Sequence, residues 1–137
     1  MITKYKSRFL RGVIPENINL LGTYKAYLHA PFFPKINFLN YQKKFTKDGE
    51  SLKGMNSIIG VDEIGYFNVK VAESFLFEGV DVIQLDYNLP QNPKRLRRHT
   101  DELRQINQNE YMGVGVHHLK NTDIWALWFS IHRQLKE

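Results

Sequence analysis

The chain has 137 residues, 42% hydrophobic and 24% charged, with nine Phe, seven Tyr, two Trp and no Cys; this excludes intrinsic disorder, disulfides, thiolate catalysis and cysteine-based zinc sites. The longest strongly apolar run is Ile124 to Phe129, against the roughly 20 residues of a membrane helix, so no helical span is expected. The net charge of +5 sits mainly in two clusters, and the first twenty residues lack an apolar stretch of signal-peptide length, so a cytoplasmic protein is expected.

In chain order, Arg8 to Val13 places Phe9, Leu10 and Val13 on one side and is expected as a short helix, with Pro15 to Leu21 a second short helix or turn. From Gly22 the period changes to two: Gly22 to His29 is a strand, broken at Pro31-Phe32-Phe33-Pro34. Asn40 to Thr46 is the next strand, and Asp48-Gly49 supplies the positive φ of a hairpin turn. Leu52 to Ile59 reads as a weaker strand interrupted by Gly54, and Gly60 to Gly65 as a turn into the strand Tyr66 to Phe75. Val80 to Tyr87 is β-branched enough for a strand, Asn88 to Pro93 is irregular because of its two prolines, and Lys94 to Arg98 is a short helical turn. Thr100 to Ile106 has helical propensity but stops within seven residues at Asn107-Gln108-Asn109, and is read as a strand. Tyr111 to Leu119 and Ile124 to His132 form a terminal hairpin around Lys120 to Asp123.

About eight short, closely spaced strands predict a mainly all-β fold, an antiparallel closed barrel spanning residues 1–137 as a single domain, with residues 1–21 as an N-terminal arm or short helix. A barrel of this strand number is just wide enough to hold a small ligand.

Lys4, Lys6, Arg8 and Arg11 form one basic cluster, and Lys94, Arg95, Arg97 and Arg98 the other. Either could meet an anion, or simply be solvated. No helix-turn-helix, zinc-finger or RNA-recognition signature accompanies them, so specific nucleic-acid binding is not expected.

Among the chemistry-bearing residues, Asp86, Asp101, Glu102 and Arg104 lie in strand-like segments, where a buried carboxylate needs a cationic partner. A pairing of Asp86 with Arg104 would be either a polar anchor for a ligand or a structural ion pair. His117 and His118 are adjacent, so on a strand they face opposite sides and cannot chelate one metal together. One of them could face a pocket as a general base or haem ligand, or be a half-exposed strand histidine; His29, His99 and His132 show no metal-binding spacing. Tyr24, Tyr27, Tyr66, Tyr87, Tyr111, Trp125 and Trp128 are core or cavity lining, with the two tryptophans on opposite faces of their strand. No Gly-x-Ser-x-Gly, P-loop or Gly-x-Gly-x-x-Gly is present, and Gly113-Val114-Gly115 reads as close strand packing.

Leu21-Gly22-Thr23-Tyr24 is similar to the Gly-x-Trp start of lipocalin-like and fatty-acid-binding-protein-like barrels, with Tyr24 where those have Trp. The stretch Leu85-Asp86-Tyr87-Asn88-Leu89-Pro90-Gln91-Asn92-Pro93, followed by Arg97 or Arg98, Asp101-Glu102-Leu103-Arg104 and Tyr111-Met112-Gly113, resembles a family of small uncharacterised bacterial proteins with LDY-x-x-P-x-NP and DELR segments. Tyr41-Gln42-Lys43-Lys44-Phe45 is similar to that family's Trp-x-Gly-Lys-x-Phe, with Tyr41 replacing Trp and Lys43 replacing Gly. The resemblance implies a compact bacterial domain of lipocalin-like, calycin-like shape rather than a particular reaction.

Together these features predict a binder of a hydrophobic small molecule inside the barrel, with Tyr24, Asp86, Arg104, His117 and Trp128 as ligand contacts. The rival is a cyclase- or isomerase-type enzyme in the same pocket, with Asp86, His117 and Tyr87 as catalytic candidates. A third reading is an interaction module in which residues 94–98 meet an anionic partner. No cofactor or metal is expected, and a homodimer is compatible with the sequence.

Overall fold

Inward and outward side chains alternate along the strands, with register shifts at Asn56/Ile58 and Gln105/Asn107, and the sheet curls until its first and last strands meet. The computed structural model describes residues 2–29, 37, 40–58, 61–119 and 124–134. Its strands are β1 (Gly22–Leu28), β2 (Gln42–Asp48), β3 (Ser51–Ile58), β4 (Val61–Glu73), β5 (Asp81–Asp86), β6 (His99–Asn107), β7 (Glu110–His118) and β8 (Ile124–Arg133). They run antiparallel in sequence order, and β1 pairs with β8 to close the barrel. The expected all-β closed barrel is therefore what the chain forms.

Several local expectations are corrected. The helix is α1 (Ile2–Leu10), one turn and more ahead of the expected Arg8 to Val13. Of the three apolar residues invoked for it only Phe9 is buried; Leu10 and Val13 are 37% and 55% exposed, and Val13 instead bridges to Gln105. Pro15 to Leu21 contains no helix. Residues 61–65, expected in a turn, already belong to β4, which begins where Val61 pairs with Ile58. Gly54 does not interrupt β3: a Cβ at this position would run into the Lys44 carbonyl oxygen and the Phe67 ring, so glycine is what lets Phe67 cross the strand. Gly49, at φ 65°, supplies the predicted hairpin turn. The Leu96–Arg98 turn is a 3-10 helix, and the residues at 31–34 and 120–123 lie outside the described residues, as does the Trp125 side chain.

Two apolar clusters hold the barrel. Inside, rings meet in a continuous series: Tyr111 to Tyr24 at 6.0 Å, Tyr24 to Phe45 at 5.4 Å, Phe45 to Phe67 at 5.3 Å and Phe67 to Tyr87 at 5.4 Å. These pairs, edge-to-face except for the tilted Phe67–Tyr87 contact, fill the lower interior with Ile83, Leu85, Leu103 and Ile131. Outside, α1 lies against the wall, where Phe9 meets Trp128 at 5.5 Å and Phe77 at 5.8 Å over Val82, Met112 and Val114. Strand β7 is thus covered on both faces, which is why its sequence is almost continuously apolar. Among the described residues no helix is long and apolar enough to cross a membrane.

Candidate functional site

On β2, Lys43 falls in phase with Phe45, and the same alternation that buries Phe45 carries the lysine inward. Its ammonium is 1% exposed and forms an ion pair of 2.8 Å with Asp101 of β6, itself 4% exposed. Closure of the barrel adds Asn56 from β3, Tyr87 from just past β5, and Tyr41 from just before β2. Lys43 Nζ donates towards Asn56 Oδ1 and Tyr87 Oη at 2.8 Å each and Tyr41 Oη at 2.9 Å. With Asp101 that makes four acceptors for three N–H bonds, so at least one N–H is shared between two of them. Phe67 and Phe129 present their rings to the same cation at 5.6 and 5.5 Å.

The proton inventory of the cluster is nearly closed. Tyr87 donates to Asp101 Oδ2 at 2.7 Å and accepts from Asn56 Nδ2 at 2.9 Å. The other carboxylate oxygen of Asp101 lies 2.8 Å from His99 Nε2, and the ionised carboxylate makes that nitrogen the donor. Burial by itself would push Asp101 up, but the Lys43 ammonium and the His99 hydrogen bond hold it well below the usual carboxylate range. Burial would lower Lys43, yet Asp101 and the two phenols raise it well above its ordinary value. Both partners therefore stay charged, and Lys43 is no candidate for an amine nucleophile. Tyr41 and Tyr87 are both raised by burial and stay protonated.

Directly above this network is a cavity of about 360 Å³, with Tyr41, Asn56, His99 and Asp101 as its polar lining and Leu28, Ile58, Leu96, Leu127 and Phe129 as its apolar walls. Gly115 keeps it open beside the histidine: a Cβ there would stand 3.0 Å from His99 Cε1 and 3.3 Å from Asp101 Oδ1. At the opposite end of the barrel a second cavity of about 350 Å³ is lined by polar residues including Asn17, Gln108 and Arg133. Its guanidinium is already committed to the Leu21 and Asn19 carbonyl oxygens at 2.7 Å each.

Of the residues singled out from sequence, Asp101 and Tyr87 are in the network and His99 is hydrogen-bonded to it. Tyr24 is buried in the ring series but does not line the 360 Å³ cavity; its hydroxyl has no partner among the described residues and Arg133 lies 4.9 Å over its ring. Asp86 and Arg104 do not meet. Asp86 pairs in register with Thr100, so Arg104 lies four residues further along β6 opposite Met112, and both carry their side chains on the outer face. Asp86 accepts from the Asn88 N–H at 2.9 Å and Arg104 donates to the Leu10 carbonyl at 3.1 Å, both local or surface ties. Glu102 closes the β4–β5 connection by accepting from Ser74 Oγ at 2.6 Å and Phe75 N–H at 2.7 Å. Trp128 is on the outer wall against α1 rather than in the cavity. His117 is at the rim, outside the cavity, in a cleft with Lys94, Arg95 and Arg98. Burial, then the charges of His99, Arg98 and His118, hold it below the usual histidine value.

Sequence reasoning missed Lys43, Asn56 and Tyr41 as site residues. The available signal was the phase of Lys43 with Phe45, since a lysine at an inward position requires a buried acid. Comparison of the chain with protein-family models, with curated proteins and with solved structures finds no match in any of the three.

Proposed function

We propose that the barrel binds a small, mainly apolar molecule carrying one hydrogen-bonding group, in the cavity above the Lys43–Asp101 network. The observation that carries this reading is the junction of an apolar-walled cavity with a fully buried, self-neutralising polar floor. A buried ion pair is seldom more stabilising than a hydrophobic filling of the same volume, so its place beneath a cavity points to recognition. At about 360 Å³ the space falls at the lower end of ligand pockets, which suits a compact ring system. Asn56 is the recognition group: Lys43 and Tyr87 engage its oxygen and one N–H, and the second N–H has no partner among the described residues. It can donate to a carbonyl or hydroxyl oxygen, with the Tyr41 hydroxyl beside it.

The test uses 2-naphthol as probe in calorimetric titration. One saturable site is expected, lost in Leu127→Trp, which fills the apolar wall while circular dichroism remains that of the folded barrel. Absence of saturable binding, or equal binding by the filled variant, overturns the reading.

The isomerase reading keeps one specific support, the hydrogen bond by which Asp101 orients His99 at the cavity wall. An imidazole so held can take and return a proton of a bound ketone. That reading predicts deuterium uptake from solvent by a small bound ketone, abolished in His99→Gln; no uptake above the uncatalysed rate refutes it.

A further inference from the structure

The segment that follows Pro93 forms a short 3-10 turn, in which residues three apart share a face. Leu96 and His99 face one way and line the cavity, whereas Arg95 and Arg98 face another and, with Lys94 and His117, line an adjoining cleft of about 250 Å³. Both openings are at the same end of the barrel. They share a wall in which the His99 and His117 rings stand 5.8 Å apart.

The turn is braced. Arg97 donates from Nε to the Asn92 and Leu89 carbonyl oxygens at 2.9 and 3.1 Å, and from its terminal nitrogen to that of Pro90 at 2.7 Å. Asn92 in turn donates to the Tyr66 and Tyr87 carbonyl oxygens at 2.7 Å each, fastening the loop to β4 and β5. One cation of the cluster is thus consumed in fixing the loop. The other three, Lys94, Arg95 and Arg98, have no acid within salt-bridge distance among the described residues.

We propose that the cleft binds the phosphate of a phosphate monoester whose compact apolar body occupies the neighbouring cavity. This rests on the binding reading above and names the ligand class. Three cations without an acidic partner among the described residues exceed what a carboxylate needs, whereas a phosphate monoester carries about −1.5 to −2 at neutral pH and accepts paired N–H bonds from guanidinium groups. Fixing the turn beforehand removes the ordering cost that flexible surface cations would otherwise incur on binding.

The experiment compares four probes by calorimetry in low salt: 2-naphthyl phosphate, 2-naphthoate, 2-naphthol and inorganic phosphate. We expect naphthyl phosphate to bind about tenfold or more tighter than naphthol, as partly screened charge-assisted hydrogen bonds would give, with naphthoate between them and inorganic phosphate weaker than the ester. In Arg95→Gln/Arg98→Gln, exposed positions whose change leaves the barrel folded, the phosphate advantage falls below about threefold while naphthol is unaffected. An ester no tighter than naphthol, an advantage that survives the double substitution, or naphthoate equal to the ester each overturns the proposal while leaving the apolar site intact. Inorganic phosphate equal to the ester overturns the two-part ligand. Failure of every naphthyl probe removes the binding reading itself.

Discussion

Asp101→Asn isolates the electrostatic dependence of Lys43, because it removes one charge with almost no change in volume. The ammonium and carboxylate are 1% and 4% exposed at 2.8 Å, so solvent screening offers little relief to a lysine left alone. Removing one partner of such a pair costs about 3–5 kcal/mol, and Lys43→Met, which strands the carboxylate, costs a similar amount. The double variant buries no charge and should be no less stable than either single one, giving a coupling energy of about 3 kcal/mol or more. For a chain of this length 1 kcal/mol corresponds to about 4 °C in Tm, so Asp101→Asn should melt about 12–20 °C below the parent. Urea denaturation of all four proteins at pH 7, followed by tryptophan fluorescence, closes the cycle. Single substitutions that each cost under about 1 kcal/mol, or that simply add, would refute the claim that the pair is dry and mutually dependent.

The same pair sets a pH dependence. Asp101, depressed in the folded state, contributes stability that is complete above the ordinary carboxylate value near pH 4 and is lost as pH falls through its lower folded value. Lys43, raised, contributes stability that is complete below about pH 10 and is lost as pH rises through its higher folded value. The stability difference between the parent and Lys43→Met/Asp101→Asn should therefore be constant from about pH 7 to 9 and change outside about pH 4 to 10; a slope inside that inner window contradicts the assignment. Phe9→Ala should cost about 3–5 kcal/mol by emptying the contact between α1 and Trp128, yet leave 2-naphthol affinity within about twofold because that contact is outside the barrel. A large loss of binding would mean that the outer cluster shapes the cavity. Gly54→Ala should destabilise by about 1–3 kcal/mol through overlap with the Lys44 carbonyl and the Phe67 ring, measured by the same denaturation; a neutral outcome would show that the strand can yield there.

Much of the architecture was legible because period two is a local property. The pattern located seven of the eight strands to within two residues at each end, β4 beginning five residues ahead of its expected start, and Thr100 to Ile106 became β6 despite its helical propensity, since pairing with both β5 and β7 outweighs a weak local preference. The N-terminal helix lies ahead of its expected place because Tyr5 and Phe9, spaced by four, both reach the outer cluster, whereas the denser apolar group at 9, 10 and 13 straddles its end. Alternation says that two faces exist without saying which is inside when both are covered, as they are where α1 crosses the wall, and so it does not separate Trp128 on the outer face from a cavity residue.

By itself the sequence determined a closed set of short antiparallel strands, the Asp48-Gly49 hairpin and the basic turn at residues 94–98. Only the tertiary structure decided which charges meet. Asp86 and Arg104 looked like natural partners, yet the β5–β6 register sets them four residues apart, while Lys43 and Asp101, 58 positions apart in sequence, share a hydrogen bond in the interior. Alternation assigns a side chain to a face from its immediate neighbours, but contact across a barrel depends on register and closure, to which every strand contributes and which no local stretch of sequence contains.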